Sequence, residues 1–106
     1  MDTTAPGDDA HAWRMTISGT LDLNAAEEFD AAFQQLVDRG ARLVVLDLRS
    51  VEFLDSSGLR SIVLASSSLA DRGGRLTVSG LSGAAERVLE LTGVLEQLRR
   101  GEHEAD

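Results

Sequence analysis

Leu43-Val44-Val45-Leu46-Asp47-Leu48-Arg49-Ser50-Val51-Glu52-Phe53-Leu54-Asp55-Ser56-Ser57-Gly58-Leu59-Arg60 changes character part-way along. Residues 43–48 form a nearly unbroken apolar run, preceded by a glycine turn and followed by Arg49-Ser50, as a central strand covered by its neighbours requires. After Asp55 the spacing becomes helical. Leu59, Ile62, Val63, Leu69 and Ala70 make one apolar stripe, the helix starts at residues 55–57, and Arg72 followed by Gly73-Gly74 stops it.

The flanks repeat this strand-to-helix unit. Upstream, Met15 and Ile17 alternate with Arg14, Thr16 and Ser18, which predicts a half-buried strand ended by Gly19. Asn24 then stands as a helix cap before Ala25-Ala26-Glu27. Phe29, Ala32, Phe33, Leu36 and Val37 carry the stripe of a helix reaching about Arg39, and Gly40 ends it. Downstream, Leu76 and Val78 alternate with Arg75, Thr77 and Ser79. A third helix over residues 82–92 carries Ala85, Val88 and Leu89, and Gly93 breaks it before Val94, Leu95 and Leu98.

Strands alternating with helices predict an α/β fold whose neighbouring strands are mostly parallel. Two of the three strands have a polar alternate face, so the helices belong mainly on one face of the sheet. Phe29, Phe33 and Phe53 are expected as the largest pieces of an aliphatic core, since aromatic residues make up only 4% of the chain.

A length of 106 residues suits one domain. Residues 1–11, with the only proline and three aspartates, are expected to be a flexible acidic leader. Residues 12–100 form the domain, and residues 101–106 an acidic C-terminal tail. The net charge of −8 disfavours nucleic acid, although six of the eighteen acids lie in the two ends. All ten basic residues are arginine. The chain has no cysteine, which removes disulfides, thiolate metal sites and cysteine nucleophiles. No apolar run is long enough to span a bilayer and no signal peptide is visible, so a cytoplasmic protein without membrane contact is expected.

The chemistry concentrates at Asp55-Ser56-Ser57-Gly58. Unpaired N–H groups and the positive end of the helix dipole accommodate an aspartate, a serine or a phosphoserine at this place, while Gly58 lets a partner's backbone approach. A simple capped helix is the plainer reading. Asp22, between the first strand and Asn24, is either a turn former or part of the same surface. Leu59 suits core or interface, and Arg60 either solvates the helix or meets an acidic partner group.

Leu43 to Leu48, Phe53 to Leu59, Arg72-Gly73-Gly74 and Leu89 to Gly93, at these spacings, resemble successive landmarks of the STAS family in its anti-sigma factor antagonist type. Gly19-Thr20-Leu21-Asp22 resembles that family's Gly-Glu-Leu-Asp, with Thr20 replacing the glutamate, and the resemblance covers about residues 13–95. It implies a small mixed, mostly parallel sheet of four to five strands. The family's usual first strand is not visible before Trp13.

The resemblance also implies partner switching. The unmodified protein would bind an anti-sigma factor that doubles as a serine kinase, and phosphorylation would end the association. Ser56 would be the target, with Ser57 as the fallback. Asp22, Asn24, Asp55, Ser56, Ser57, Gly58, Leu59 and Arg60 would form the partner surface. A phosphatase would reset the switch, the free protein would be a monomer, and the chain itself would need no cofactor, ATP being held by the kinase.

Two rivals remain. A serine hydrolase would need a base near Ser56 or Ser57, yet His11 and His103 lie in the ends and no Gly-x-Ser-x-Gly elbow is present. The other rival keeps the fold and changes the job, making the chain a regulatory subunit of a lipid-transport ATPase or a piece of a stress-sensing scaffold.

Overall fold

A computed structural model of the chain describes residues 2–4, 11–80 and 83–93. The elements are β1 (Asp2–Thr4), β2 (Ala12–Leu21), α1 (Leu23–Asp38), β3 (Leu43–Leu54), α2 (Ser56–Asp71), β4 (Arg75–Ser79) and α3 (Gly83–Leu91). The four strands form one mixed sheet in the order β1-β2-β3-β4; β1 runs antiparallel to β2, and β2, β3 and β4 are mutually parallel neighbours.

The apolar run at residues 43–48 is interior in the sheet, as its sequence requires. Val44, Leu46 and Leu48 are buried, and register places Met15 beside Leu46 and Leu46 beside Val78 on one face. Phe29, Phe33 and Leu36 from α1 and Ile62, Ala65 and Leu69 from α2 complete a continuous core with these strand residues. The rings of Phe29 and Phe33 stack at 5.9 Å between centroids. Leu89 of α3, fully buried, joins the same cluster. The helices cover mainly this apolar face.

The alternate face is polar, as the strand pattern predicts. Thr16 is opposite Asp47 and Asp47 opposite Ser79. The Arg14 guanidinium meets the Asp47 carboxylate at 3.1 Å, and the Arg49 N–H donates to Asp47 Oδ1 at 3.0 Å. Asp47 is buried, and the Arg49 N–H, followed by the Arg14 side chain, holds its carboxyl below the ordinary carboxylate range.

Several boundaries differ from the sequence expectation. The first strand continues through Gly19 to Leu21. Register shifts on either side of residue 19 absorb an irregularity inside the strand, and Gly19 supplies the positive φ of +79° there. The central strand likewise runs on to Leu54, because the later part of β2 pairs with it as far as Leu21 beside Leu54. The leader contributes a short edge strand, with Thr3 paired to Met15, so it is not wholly flexible chain. Three polar residues pair through their backbones without any apolar pattern.

Asp22, not Asn24, caps α1: its Oδ1 accepts the Ala25 N–H at 3.0 Å, and Asn24 is already inside the helix. Phe53 is 51% exposed: strict alternation breaks here, with Glu52 and Phe53 both outward between buried Val51 and Leu54. Ala70 is also exposed. The buried face of α2 runs through Gly58, Ser61, Ile62, Ala65 and Leu69, which turns residue 70 outward. His11 is tied into the fold, its Nδ1 lying 2.9 Å from the Gly40 carbonyl oxygen. His103, the tail, the side chain of Ala85 and the segment holding Val94, Leu95 and Leu98 lie outside the described residues.

Candidate functional site

β2 and β3 end side by side, with Leu21 paired to Leu54, so Asp22 and Asp55 leave the sheet at the same end. The Asp55 N–H donates to the Leu21 carbonyl at 3.3 Å and links the two exits. Both aspartates adopt extended backbone, with φ −97° and ψ −169° at Asp22 and φ −99° and ψ −173° at Asp55. An extended residue with a short acceptor side chain is what a helix start needs, since its first N–H groups have no intrahelical partner.

Asp55 uses that acceptor twice. Its Oδ1 takes the N–H of Ser57 at 2.9 Å and of Gly58 at 3.1 Å, and its carbonyl takes the Leu59 N–H at 3.0 Å. This capping fixes the next residue, Ser56, on the rim of the helix, and Ser56 is exposed. Ser57 and Leu59 are half-buried, Leu59 against the core, and Arg60 is exposed.

Gly58 has a different role from the one its sequence suggests. It is buried, and a Cβ placed there would stand 2.5 Å from the Leu21 carbonyl oxygen and 2.7 Å from Leu21 Cγ. Its missing side chain makes room for the chain's own β2–α1 connection, not for a partner's backbone. Gly58 therefore brings the two helix starts together.

Behind the two caps, α1 and α2 enclose an open groove lined by Leu23, Glu27, Asp30, Ser57, Arg60 and Leu64. Leu23 is 60% and Leu64 55% exposed, giving this polar rim two apolar points. Sequence reading misses Leu23, Glu27, Asp30 and Leu64. Leu64 does carry a signal: it is a leucine off the apolar stripe of its helix. The structure thus gathers Asp22, Asn24, Asp55, Ser56, Ser57 and Arg60 near one end of the sheet, with Gly58 and Leu59 turned inward beneath them.

His11 lies far from this site. It precedes β2 and bonds the loop before β3, at the opposite ends of those strands from Ser56. No helix among the described residues is long and apolar enough to cross a membrane.

Comparison with known proteins agrees with this geometry. A Bordetella bronchiseptica protein named anti-sigma factor antagonist BtrV is 33% identical over 79 residues, covering 74% of this chain and 68% of that protein. The structure of an anti-sigma factor antagonist from Mycobacterium paratuberculosis superposes with a TM-score of 0.75 at 26% identity, over 92% of this chain and 83% of that one. SpoIIAA, the Bacillus cell fate determinant, in its phosphorylated form shares the fold with a TM-score of 0.71 at 19% identity, over 92% of this chain and 87% of its own. The family model described as Mlab, STAS domain matches residues 5–100. The chain belongs to the STAS domain family.

Proposed function

We propose that this protein is an anti-sigma factor antagonist, a regulatory binding protein and not an enzyme, switched by phosphorylation of Ser56. The observation that carries the reading is an exposed serine held on the rim of α2 by the Asp55 cap, beside a groove with two exposed leucines. The kinship with BtrV supports it. The partner is an anti-sigma factor of the serine-kinase type. It binds the unmodified surface and gives up its sigma factor, in the cytoplasm, where a monomeric antagonist meets it. ATP belongs to that kinase.

In the transfer, Ser56 Oγ forms a bond to the γ-phosphorus of ATP as the bond to the ADP oxygen breaks, and the hydroxyl proton passes to a base of the kinase. The phosphoserine adds about −1.5 to −2 charge beside Asp55. Opposite an acidic partner group at about 6 Å, with an effective dielectric near 20, this costs on the order of 5 kcal/mol before salt screening. A quarter of that weakens binding about tenfold. A phosphatase restores the serine.

Incubation with ATP and the cognate kinase is expected to add one phosphate to the tryptic peptide Ser50 to Arg60, and Ser56→Ala to abolish it, as read by mass spectrometry. Phosphate retained in Ser56→Ala and lost in Ser57→Ala would move the site to Ser57. No phosphate on that peptide would refute the switch.

A second reading, a regulatory STAS subunit of a lipid-transport ATPase, is favoured by the Mlab description of the matching family model. Co-purification separates the two: a small ATP-binding kinase supports the antagonist, a membrane ATPase the transport subunit.

A further inference from the structure

The start of α2 has little left to offer a phosphate. The N–H groups of Ser57 and Gly58 are taken by the Asp55 carboxylate and that of Leu59 by the Asp55 carbonyl. A phosphate on Ser56 therefore meets a helix terminus whose cap is itself an acid, and the hydrogen bonds that usually favour an anion there are largely spent. Glu27 and Asp30 of α1 line the adjoining groove and add negative charge.

One cation stands within helical reach. Arg60 follows Ser56 by four residues, so the two side chains are neighbours on one helix face. Long side chains on a helix lean toward the preceding turn, which carries the Arg60 guanidinium toward Ser56. Arg60 is exposed, shares the groove with Ser57, and makes no ion pair or hydrogen bond among the described residues. It is the sole basic residue of α1 and α2.

We propose that phosphorylation of Ser56 draws Arg60 into an intrahelical pair with the phosphate, so that one modification both adds a dianion and withdraws the only cation of the α1–α2 docking face. The proposal rests on Ser56 being the modified residue. A guanidinium offers a planar pair of donors matched to phosphate oxygens, which an ammonium lacks. In the unmodified protein Arg60 is free to meet an acidic group of the kinase-type partner. In the phosphorylated protein it is folded back on its own helix, and the charges left on the docking face are all negative.

The test uses the full chain with phosphoserine placed at position 56 during translation, so no kinase is needed. Phosphorus NMR follows the second ionisation of the phosphate in the parent, Arg60→Gln and Arg60→Lys. A positive neighbour favours the dianion, so Arg60→Gln is expected to raise the midpoint by about 0.3 pH unit or more, and Arg60→Lys to keep most of the parent value. Asp55, Glu27 and Asp30 are common to all three proteins, so their effect cancels in the comparison.

Arg60→Gln should also lower the melting temperature of the phosphorylated chain more than that of the unmodified chain. An unmoved midpoint, or equal thermal loss in both forms, overturns the pairing. If the midpoint moves as expected while the kinase assay leaves the Ser50 to Arg60 peptide unmodified, the pairing stands and the phosphorylation switch of the proposed function fails.

Discussion

Asp22 and Asp55 are the same device used twice. Each follows a buried leucine at the end of a parallel strand, takes extended backbone within a few degrees of the other, and caps a helix of 16 residues. The residues after the two caps differ. α1 displays Leu23, 60% exposed, while α2 displays Ser56, also exposed; at the third helical position α1 has Ala25 and α2 has the buried Gly58. The cap fixes where the next side chain points, and the sequence then chooses what to show there: an apolar point on one helix, a phosphate acceptor on the other. Gly58 adds a requirement that α1 does not share, because the second helix must seat itself on the exit loop of the first.

The largest expected effect tests that seating. Gly58→Ala would put a methyl group 2.5 Å from the Leu21 carbonyl oxygen, a backbone atom that cannot swing aside. We expect a loss of about 3 kcal/mol in urea unfolding. Ala25→Gly, the matching position on α1, should cost no more than about 1 kcal/mol. Similar losses at both positions would mean that Gly58 does not join the two helix starts.

The caps come next. Asp55 accepts two N–H groups and Asp22 one, so Asp55→Ala should cost about 1–2 kcal/mol and Asp22→Ala about 0.5–1 kcal/mol. Asparagine at either position should restore most of the loss in thermal melts. The reverse order would show that the second bond at Asp55 contributes nothing.

One side of this comparison is more legible in the sequence than the other. The β3–α2 passage can be read because an apolar run meets an aspartate followed by small residues, and both signals are local. The cap of α1 lies two residues before its expected place, since Asp22 and Asn24 are equally good capping types and only the hydrogen bond to Ala25 separates them. Gly58 misleads because the atom that forbids a side chain there belongs to Leu21, distant in sequence. Phe53 carries the hydrophobicity of a core residue, but a break in the strand's alternation between Val51 and Leu54 leaves it outside. β1 leaves no trace, since edge pairing through backbone groups needs no pattern.

Asp47 provides a control on the other sheet face. Its folded pKa is depressed, so its contribution is present above the unfolded value near 4 and is lost as pH falls through the folded value. Asp47→Asn should lower stability by about 1 kcal/mol at pH 7, and the gap to the parent should close in acid. Both cap variants should keep this acid dependence, measured by urea unfolding from pH 7 to pH 2.5. A gap that stays constant with pH would assign the loss to packing and not to charge.

Leu23→Ser should have the smallest effect on the fold, because it converts the first residue of α1 into the kind found on α2. Leu23 is mostly exposed and its helix keeps the Asp22 cap, so stability should stay within about 0.5 kcal/mol of the parent. Its effect on association should be larger than that, since Leu23 at the head of the groove is left mostly exposed by the described residues. We expect affinity for the kinase-type partner to fall at least about fivefold in titration calorimetry, which corresponds to about 1 kcal/mol. A drop in stability with unchanged affinity would make Leu23 a structural residue, leaving Ser56 as the only functional difference between the two caps. Loss of affinity alone would show that both helix starts act on the partner, one by what it buries and the other by what it can be made to repel.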